Sequence, residues 1–226
     1  PVLEVFNVAD EHGRRIDFDP VEICLRENRV YELPGHFQLI RKDGIEFAVQ
    51  DSVAPIRNAE GRIVGSVLVF KDVTRLRRME REMAYLASHD PLTGLLNRRE
   101  FEGRLERSLE SARDGARRHA LLYLDLDEFK LVNDTAGHYA GDQLLKELSA
   151  ILQACIRPTD TLARLGGDEF GVILNRATAA EAATKAQALN DKINTSAILY
   201  AGVPHRIRAS VGVHPIALAE DPETAL

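Results

Sequence analysis

The segment that most constrains the fold is an apolar run that ends in two alternating acids. Residues 120–126 are almost entirely apolar, and the run closes with Asp125, Leu126 and Asp127. A short apolar run of this length predicts a buried β-strand. Because alternate residues of a strand share one face, Asp125 and Asp127 are predicted to point the same way where the strand ends.

Two interpretations of this acid pair are open from the residues alone. Carboxylates that leave an apolar strand need compensating charge, and a hard cation such as Mg²⁺ supplies it. In the plainer interpretation, one acid caps the following helix and the other is solvated, which is common turn chemistry.

A second acidic site follows a pair of glycines between two apolar strands. Gly166 and Gly167 permit a tight hairpin, which places Asp168 and Glu169 at its tip. A solvated polar tip is the ordinary interpretation. If the strands of the two acidic sites are neighbours, Asp125 and the hairpin acids jointly hold Mg²⁺, as in phosphoryl-transfer sites.

The segment between the two acidic sites carries an amide and a carboxylate, Asn133 and Asp142. Together they match the edge of guanine, where the carboxylate accepts from N–H groups and the amide donates to an acceptor. The alternative is a helix–turn–helix in which Asn133 and Asp134 cap backbone groups and Asp142 favours a helix N-terminus. His138 is by itself an ordinary turn residue.

The periodicities predict a β-rich unit over residues 1–73, with helices and strands alternating from Asp90 onward. In the first unit, Asp43-Gly44 predicts a type I′ turn between strands at 37–42 and 45–51, and Asp19 before Pro20 predicts a helix start. In the second, Asn97 and Glu100 predict a capping box before a helix. Further helices are predicted at 139–156 and 179–193, with strands at 120–126, 162–174 and 207–213.

Residues 74–88 have a different pattern from the units on either side. Their apolar side chains recur at spacings of three and four, with charged residues between them, which is typical of a coiled-coil seam. A dimerising connector and a solvated linker helix are equally supported, since two heptads are too short to dimerise securely alone.

Charge and cysteine content exclude several classes of function. The formal net charge of −6 argues against a general electrostatic grip on nucleic acid or on an anionic membrane. With only two cysteines in the sequence, no disulfide framework is expected, and a reducing cytoplasm is the simplest location. Any membrane anchor of the parent protein is expected outside this segment.

Three long motifs in this order resemble the GGDEF domain of diguanylate cyclases. They are the entry motif at 89–99, the central motif from Asp125 to Asp142, and Gly-Gly-Asp-Glu-Phe at 166–170. The resemblance implies an α+β fold, a sheet flanked by helices that is related to polymerase palms and adenylyl cyclases. It also implies that two such domains, each with one GTP, face each other as a homodimer to make cyclic di-GMP.

The resemblance assigns roles position by position. It implies a Mg²⁺ or Mn²⁺ site at Asp125, the Leu126 carbonyl, Asp168 and Glu169. It also implies that an acid of the hairpin, with Asp168 favoured over Glu169, accepts the proton of the attacking hydroxyl. It implies that guanine is read by Asn133 and Asp142. It also implies that Phe129, Lys130 and His138 lie along the nucleotide. Arg157 and Asp160 match the family's Arg-x-x-Asp inhibitory site for cyclic di-GMP, and arginine suits phosphate or guanine there.

The flanking segments are interpreted by the same resemblance. Residues 1–73 resemble the C-terminal part of a PAS sensor domain, and 74–88 its usual signalling helix. Similar PAS–GGDEF segments often continue into an EAL phosphodiesterase domain. The family's closing helix, with its Ala-Lys pair and Gly-Arg-Asn turn, is expected beyond Leu226, so the GGDEF domain at 89–226 is expected to be C-terminally incomplete and turnover by this piece alone is in question.

These observations support a PAS-regulated diguanylate cyclase with product inhibition. A non-catalytic GGDEF module, which binds GTP or cyclic di-GMP to regulate an adjacent domain, is the second hypothesis. Such modules usually lack the hairpin acids, whereas Asp168 and Glu169 are present. A third interpretation, a dimerisation or sensor protein, rests on the connector helix alone.

Overall fold

The structure, a computed structural model, describes residues 7–10, 13–16, 18–33, 35–113, 118–200 and 203–216, with only the backbone at 197–200 and 203–206. The chain divides into two units, Pro1–Met83 and Ala84–Leu226. Within the described ranges, none of the helices combines the length and apolar character needed to span a bilayer.

The first unit contains an antiparallel sheet of order β1-β2-β3-β4. Its elements are β1 (Val8–Asp10), α1 (Pro20–Glu27), β2 (Phe37–Ile40), β3 (Glu46–Arg57) and β4 (Ile63–Asp72). As predicted, Asp19 caps α1, accepting from the backbone N–H groups of Val21 and Glu22. The strand β1 was not predicted, and it is held by pairing with β2.

The turn between β2 and β3 corrects the predicted type I′ geometry. A type I′ turn requires positive φ at both central residues. Gly44 has φ 85°, but Asp43 is not among the positive-φ residues of the described chain. Gly44 N–H donates to Arg41 O, and Arg41 N–H donates to Ile45 O, so the loop is longer than predicted.

The connector helix α2 (Thr74–Ser88) has the predicted bounds, and the division between the two units falls within it. It has no buried residue. The side chains of its predicted seam, Leu76, Met79, Met83 and Leu86, are between 42 and 63% exposed. Among the residues that the structure describes, the four seam side chains are therefore largely exposed.

The second unit contains an antiparallel sheet of order β10-β5-β7-β6. Its helices are α3 (Arg98–Arg113), α4 (Phe129–Ala136), α5 (His138–Cys155) and α6 (Ala179–Thr195). Its strands are β5 (His119–Asp127), β6 (Thr161–Gly166), β7 (Glu169–Asn175), the short hairpin β8 (Ala197–Tyr200) and β9 (Val203–Arg206), and β10 (Arg208–Ile216). The predicted elements are present within a few residues of their bounds, whereas the β8–β9 hairpin was not predicted.

The sheet of the second unit has a hydrophobic core on each face. One core joins Leu122, Leu124 and Leu126 of β5 to the buried leucines of α5 and α6. The other joins Leu121 to Phe101 and Leu105 of α3. Since strand residues alternate between faces, Tyr123, Asp125 and Asp127 lie on the same face as Leu121, the α3 face. The sequence predicted that the two acids share a face, but not which one.

The start of α3 departs from the predicted capping box. Asn97 caps the helix, because its Oδ1 accepts from Glu100 N–H at 3.0 Å. The reciprocal half of the box is wrong. Asn97 N–H donates instead to Ser88 O, and the Glu100 carboxylate accepts from Arg104 Nε at 2.9 Å.

Candidate active site

The acids of the two acidic motifs come together at one end of the central strand pair. Asp125 of β5 lies directly opposite Glu169 of β7, and directly opposed residues have Cα atoms about 4.5–5.5 Å apart. Asp168 immediately precedes Glu169, in a turn where Gly166 and Gly167 have φ of 148° and 52°. The turn thus uses backbone conformations that favour glycine.

The electrostatics of Asp125 reflect this crowding of acids. Partial burial raises the pKa of its carboxyl, and the charges of Asp168, Glu169 and Asp127 raise it further. Among the described residues, the charges that shift its pKa are all acidic, so the ionised form of Asp125 is electrostatically unfavourable. A bound cation would reverse this shift.

The donor set at this end of the sheet fits a hard divalent cation. In the described residues, no group of three or more His, Cys, Asp or Glu side chains forms a metal cage. Mg²⁺ seldom uses such a cage, since it is held by one or two carboxylates together with water and substrate phosphates. Asp125 and Glu169 supply two carboxylates, and Leu126 lies between the two acids of its strand.

Asp127 differs from Asp125 although both lie on the same face. The Ser210 hydroxyl of β10 donates to Asp127 Oδ1 at 2.8 Å, and Arg208 is its register partner. Asp127 therefore links β5 to β10. The predicted helix cap is wrong for Asp127, because no side chain caps α4 and Asp127 is bonded to β10 instead. Asp125 faces the acids of β7.

The entry motif anchors the acidic hairpin, a role that the sequence did not reveal. Arg164 Nη1 lies 3.2 Å from both carboxylate oxygens of Asp90. The same guanidinium donates to Gly167 O through Nε at 3.0 Å and Nη2 at 2.7 Å. Asp90 also accepts from the backbone N–H and hydroxyl of Thr93. Asp90 and Arg164 are 74 residues apart, so no local pattern predicts their contact.

The state of the Asp90 carboxyl agrees with this anchoring role. Burial acts to raise its pKa, but the hydrogen bonds from Thr93 and the Arg164 guanidinium together hold the pKa below its usual range. Asp90 is thus an ionised partner at neutral pH.

The predicted guanine pair lies where α4 meets α5. Asn133 is inside α4 and not at a cap, and its side chain lies over Gly141, where an added Cβ would sit 2.1 Å from Asn133 Oδ1. The ring of Phe129 covers the same point at 3.1 Å. Asp142 follows Gly141 and is exposed. The absence of a side chain at Gly141 therefore permits the Asn133 amide to lie close to Asp142, which carries the carboxylate of the predicted pair.

Lys130 is the second residue of α4 and His138 is the first of α5, and both are exposed. The helix α4 starts right after β5, through Glu128 in the left-handed region at φ 59°. The first N–H groups of a helix have no partner within the helix and favour anions. Glu128 alone separates Asp127, the end of β5, from this helix start.

Arg157 and Asp160 lie in the loop between α5 and β6, away from the acidic end of the sheet. Asp160 accepts from the backbone N–H groups of Arg157 at 3.2 Å and Asn175 at 3.1 Å. A cavity of about 390 Å³ opens beside both residues and is also lined by Glu181 and Lys185. Arg157 is exposed, so the two members of the motif differ: Asp160 holds the loop, and Arg157 faces solvent.

A sheet of this order, with facing acids at one end and a helix that begins beside them, is the arrangement expected of a domain that handles nucleotide phosphates through a divalent metal ion. The family described as "Diguanylate cyclase, GGDEF domain" matches residues 87–226. The chain therefore belongs to the GGDEF diguanylate cyclase family.

Similar proteins of known sequence extend beyond this segment. The chain is 43% identical over 213 residues to the probable diguanylate cyclase DgcE of Escherichia coli, covering 94% of this chain and 18% of that protein. It is 44% identical over 142 residues to the bifunctional diguanylate cyclase/cyclic di-GMP phosphodiesterase MucR of Pseudomonas aeruginosa, covering 62% of this chain and 20% of MucR. The chain thus spans about a fifth of the length of these relatives.

Solved structures show the same fold. The coiled coil and GGDEF domain of DgcB from Caulobacter crescentus, in complex with c-di-GMP, matches with a TM-score of 0.63 and 29% identity, covering 68% of this chain and 82% of that one. The GGDEF domain of TpbB from Pseudomonas aeruginosa matches with a TM-score of 0.57 and 36% identity, covering 61% and 81%.

Proposed function

We propose that this chain carries the catalytic domain of a diguanylate cyclase, which joins two GTP molecules into cyclic di-GMP and releases two pyrophosphates. The observation that carries the proposal is the pairing of Asp125 with Glu169 across neighbouring strands. Family membership adds the reaction class, and the presence of both hairpin acids favours an enzyme over a binding module.

In this proposal, Asp125, Glu169, Asp168 and the Leu126 carbonyl hold Mg²⁺ or Mn²⁺. The ion, when bound, stabilises the charge on the leaving pyrophosphate and makes the attacking hydroxyl more acidic. The start of α4, at Phe129 and Lys130, receives the phosphates, because its free N–H groups and the lysine ammonium complement their charge.

The reaction needs two nucleotides, one in each of two facing domains. The 3′-hydroxyl oxygen of each GTP attacks the α-phosphorus of the other, and the bond from that phosphorus to the pyrophosphate oxygen breaks. Asp168 accepts the proton that the hydroxyl loses. Each domain therefore contributes one set of acids and one guanine site, so the homodimer is the catalytic unit.

Guanine is read by Asn133 and Asp142. The exposed Asp142 carboxylate accepts from guanine N1–H and the exocyclic amine, while the Asn133 amide donates to a ring acceptor. Adenine presents an acceptor where guanine presents N1–H, so Asp142 gives the site its preference for GTP. His138, at the start of α5, lies along the nucleotide.

The test incubates the full-length protein with GTP and Mg²⁺ and detects cyclic di-GMP by chromatography. We expect product from the wild type and at least a 100-fold loss in Asp125→Ala and Glu169→Ala, since metal ligands contribute several kcal/mol to the transition state. Asp191→Ala, at an exposed acid of α6 that pairs with Gln187, is the matched control. Equal product from all variants would remove the site assignment.

The alternative function, a non-catalytic module, gives a different result in the same experiment. Wild-type protein that binds GTP or cyclic di-GMP without forming product, at any Mg²⁺ or Mn²⁺ concentration, would establish it and exclude the cyclase.

Product inhibition is proposed at Arg157. The cavity beside it offers the exposed guanidinium as a partner for phosphate or guanine, and similar GGDEF domains of DgcB have been solved with c-di-GMP. Arg157→Ala should relieve inhibition by added cyclic di-GMP. Arg107→Ala, at an exposed arginine of α3 that pairs with Glu100, is the control. Unchanged inhibition in Arg157→Ala would count against the site.

The first unit and the connector are proposed to regulate the cyclase from the cytoplasmic side, as a PAS-type sensor with a dimerising helix. The support is the four-stranded antiparallel sheet and the exposed seam of α2. Met79→Glu should raise the protein concentration at which specific activity is half-maximal. Glu82→Gln, at an exposed position outside the seam, should not. Activity independent of concentration in both would exclude this role of the seam.

A further inference from the structure

A cavity of about 280 Å³ lies within the first unit, where β3 meets the first turns of α2. Its lining includes Val49 and Asp51 of β3 and Leu76, Arg77 and Glu80 of α2. These residues all belong to the first unit, so one unit forms this cavity. An occupant would therefore contact both the sheet and the start of the connector helix.

Asp51 is the unusual member of this lining. It alternates along β3 with Val49 and Val53, which are 3 and 0% exposed, and it shares their buried face. Asp51 itself is only 6% exposed. Its Oδ2 is buried and has no hydrogen-bond partner among the described residues. Buried polar atoms are nearly always paired, so an orphan that borders a cavity indicates a missing partner.

The charges around the cavity favour a positively charged partner. Burial is the largest cause that raises the pKa of the Asp51 carboxyl, and the charge of Glu32 raises it further. Glu32 and Glu80 also line the cavity, and both are exposed. Arg77 brings a cation to the lining, but its Nη2 donates to Val49 O at 3.5 Å, and it is not among the groups that shift the pKa of Asp51.

We propose that this cavity binds a small organic ammonium, a protonated amine whose N–H groups donate to the Asp51 carboxylate. An ammonium supplies both the donor and the positive charge that this carboxylate needs. The last torsion of an aspartate side chain is broad, so either oxygen can turn toward the ligand. The apolar side chains of Val49 and Leu76 suit a short alkyl chain.

A metal ion fits this cavity less well than an ammonium. Divalent ions need several oxygen ligands at once, and no group of three or more His, Cys, Asp or Glu side chains in the described part of the chain is arranged to hold one. The inference gives a ligand chemistry to the proposed sensor role of the first unit, on which its regulatory meaning rests. Binding itself requires neither that role nor turnover.

The experiment uses n-butylammonium chloride as the probe and n-butanol as its neutral counterpart with the same number of heavy atoms. Ligand-detected NMR with the full-length protein measures both dissociation constants. We expect butylammonium to bind in the millimolar range, as suits so small a ligand. Butanol should bind about 10-fold more weakly or worse, because it cannot make a charge-assisted hydrogen bond.

Asp51→Asn keeps the shape of the side chain and removes its charge. It should weaken butylammonium binding by about 10-fold or more and leave butanol binding unchanged. Urea unfolding checks that the variant folds. Glu80→Gln, at an exposed acid of the lining, is the second variant and should weaken butylammonium binding by about 2- to 5-fold. Asp43→Asn, at an exposed acid of the β2–β3 turn, is the matched control and should change neither constant.

Equal affinity for butanol and butylammonium, or wild-type butylammonium affinity in Asp51→Asn, would overturn the ammonium site. Displacement of butylammonium by millimolar Mg²⁺ or Ca²⁺ with retained sensitivity to Asp51→Asn would also overturn it, in favour of a metal site. Protein that binds butylammonium through Asp51 but forms no cyclic di-GMP would refute the proposed cyclase and leave this inference standing.

Discussion

The contact between Asp90 and Arg164 offers the sharpest test of how the acidic hairpin is held. Arg164→Met removes the guanidinium and keeps most of the side-chain volume. It releases the Gly167 carbonyl, which the guanidinium binds twice, and it leaves the Asp90 carboxylate without its cationic partner. The variant therefore perturbs the stability of the unit and the placement of Asp168 and Glu169 together.

The magnitude follows from the burial of the pair. Removing one partner of a fully buried ion pair costs about 3–5 kcal/mol, and an exposed pair contributes about 0–1 kcal/mol. The side chains of Arg164 and Asp90 are only 13 and 18% exposed, so we expect a loss of about 2–4 kcal/mol. At roughly 2–4 °C per kcal/mol for a unit of this size, its Tm falls by roughly 5–15 °C.

Calorimetry and cyclic di-GMP formation measure the two consequences. Loosening the hairpin should lower activity by about 10- to 100-fold at temperatures where the variant remains folded, since small misplacements of catalytic groups have effects of that size. Arg98→Met is the control, because its pair with Glu102 is about half exposed and contributes about 1 kcal/mol or less. The reasoning is refuted if Arg164→Met is no more destabilising than Arg98→Met.

The same contact has a pH signature. Because the pKa of Asp90 in the folded state lies below its ordinary value of 3.8, the carboxylate stabilises the fold fully above that pH. This stabilisation is lost as the pH falls through the folded pKa. Urea unfolding of the wild type between pH 7 and 3 should show this loss. The Asp90→Asn variant should have a lower free energy of unfolding at neutral pH, and that free energy should fall less steeply as the pH is lowered. An equally steep acid limb in Asp90→Asn would contradict the assignment.

Three further variants test other contacts of the second unit. Gly171→Ala should destabilise by about 1–3 kcal/mol in urea unfolding, because an added Cβ would lie 2.5 Å from the buried Phe101 ring. Gly141→Ala should raise the KM for GTP by about 10-fold with little change in unfolding, because the new methyl displaces the flexible end of Asn133 while the Phe129 ring, 3.1 Å away, has to shift only slightly. Asp125→Asn should abolish product yet raise the Tm of metal-free protein at pH 7, since burial and neighbouring acids raise the pKa of that carboxyl and its ionised form weakens the fold.

The sequence predicted those parts of the fold that depend on long periodic segments. Helices such as α5 and strands such as β5 repeat their apolar pattern over many residues, so their bounds were found closely. The strand β1 has three residues and exists because β2 pairs with it. The β8–β9 hairpin is similarly short. Elements of this length carry too little periodicity to be predicted.

Local capping and turn signals were less dependable because other groups competed for the same atoms. At the start of α3, the Arg104 guanidinium donates to the Glu100 carboxylate, and the Asn97 N–H donates to the Ser88 carbonyl. At the β2–β3 turn, Asp43-Gly44 fits several loop geometries, and the strands on either side select one with positive φ at Gly44 alone. Such choices depend on contacts that a four-residue pattern does not contain.

The acids of the second unit show why site residues are harder to predict than elements. Asp90 and Asp160 each accept hydrogen bonds from another segment and hold loops in place, and Asp127 is bonded across strands to Ser210. In the described residues, Asp125 has acids as its closest charged neighbours. As letters in a motif these aspartates are equivalent, but the fold gives three of them protein partners and leaves one with an unfavourable charge. A bound cation can compensate that charge. The partner of each acid, and not its motif, therefore distinguishes the acids that hold the fold together from the acid expected to bind a ligand.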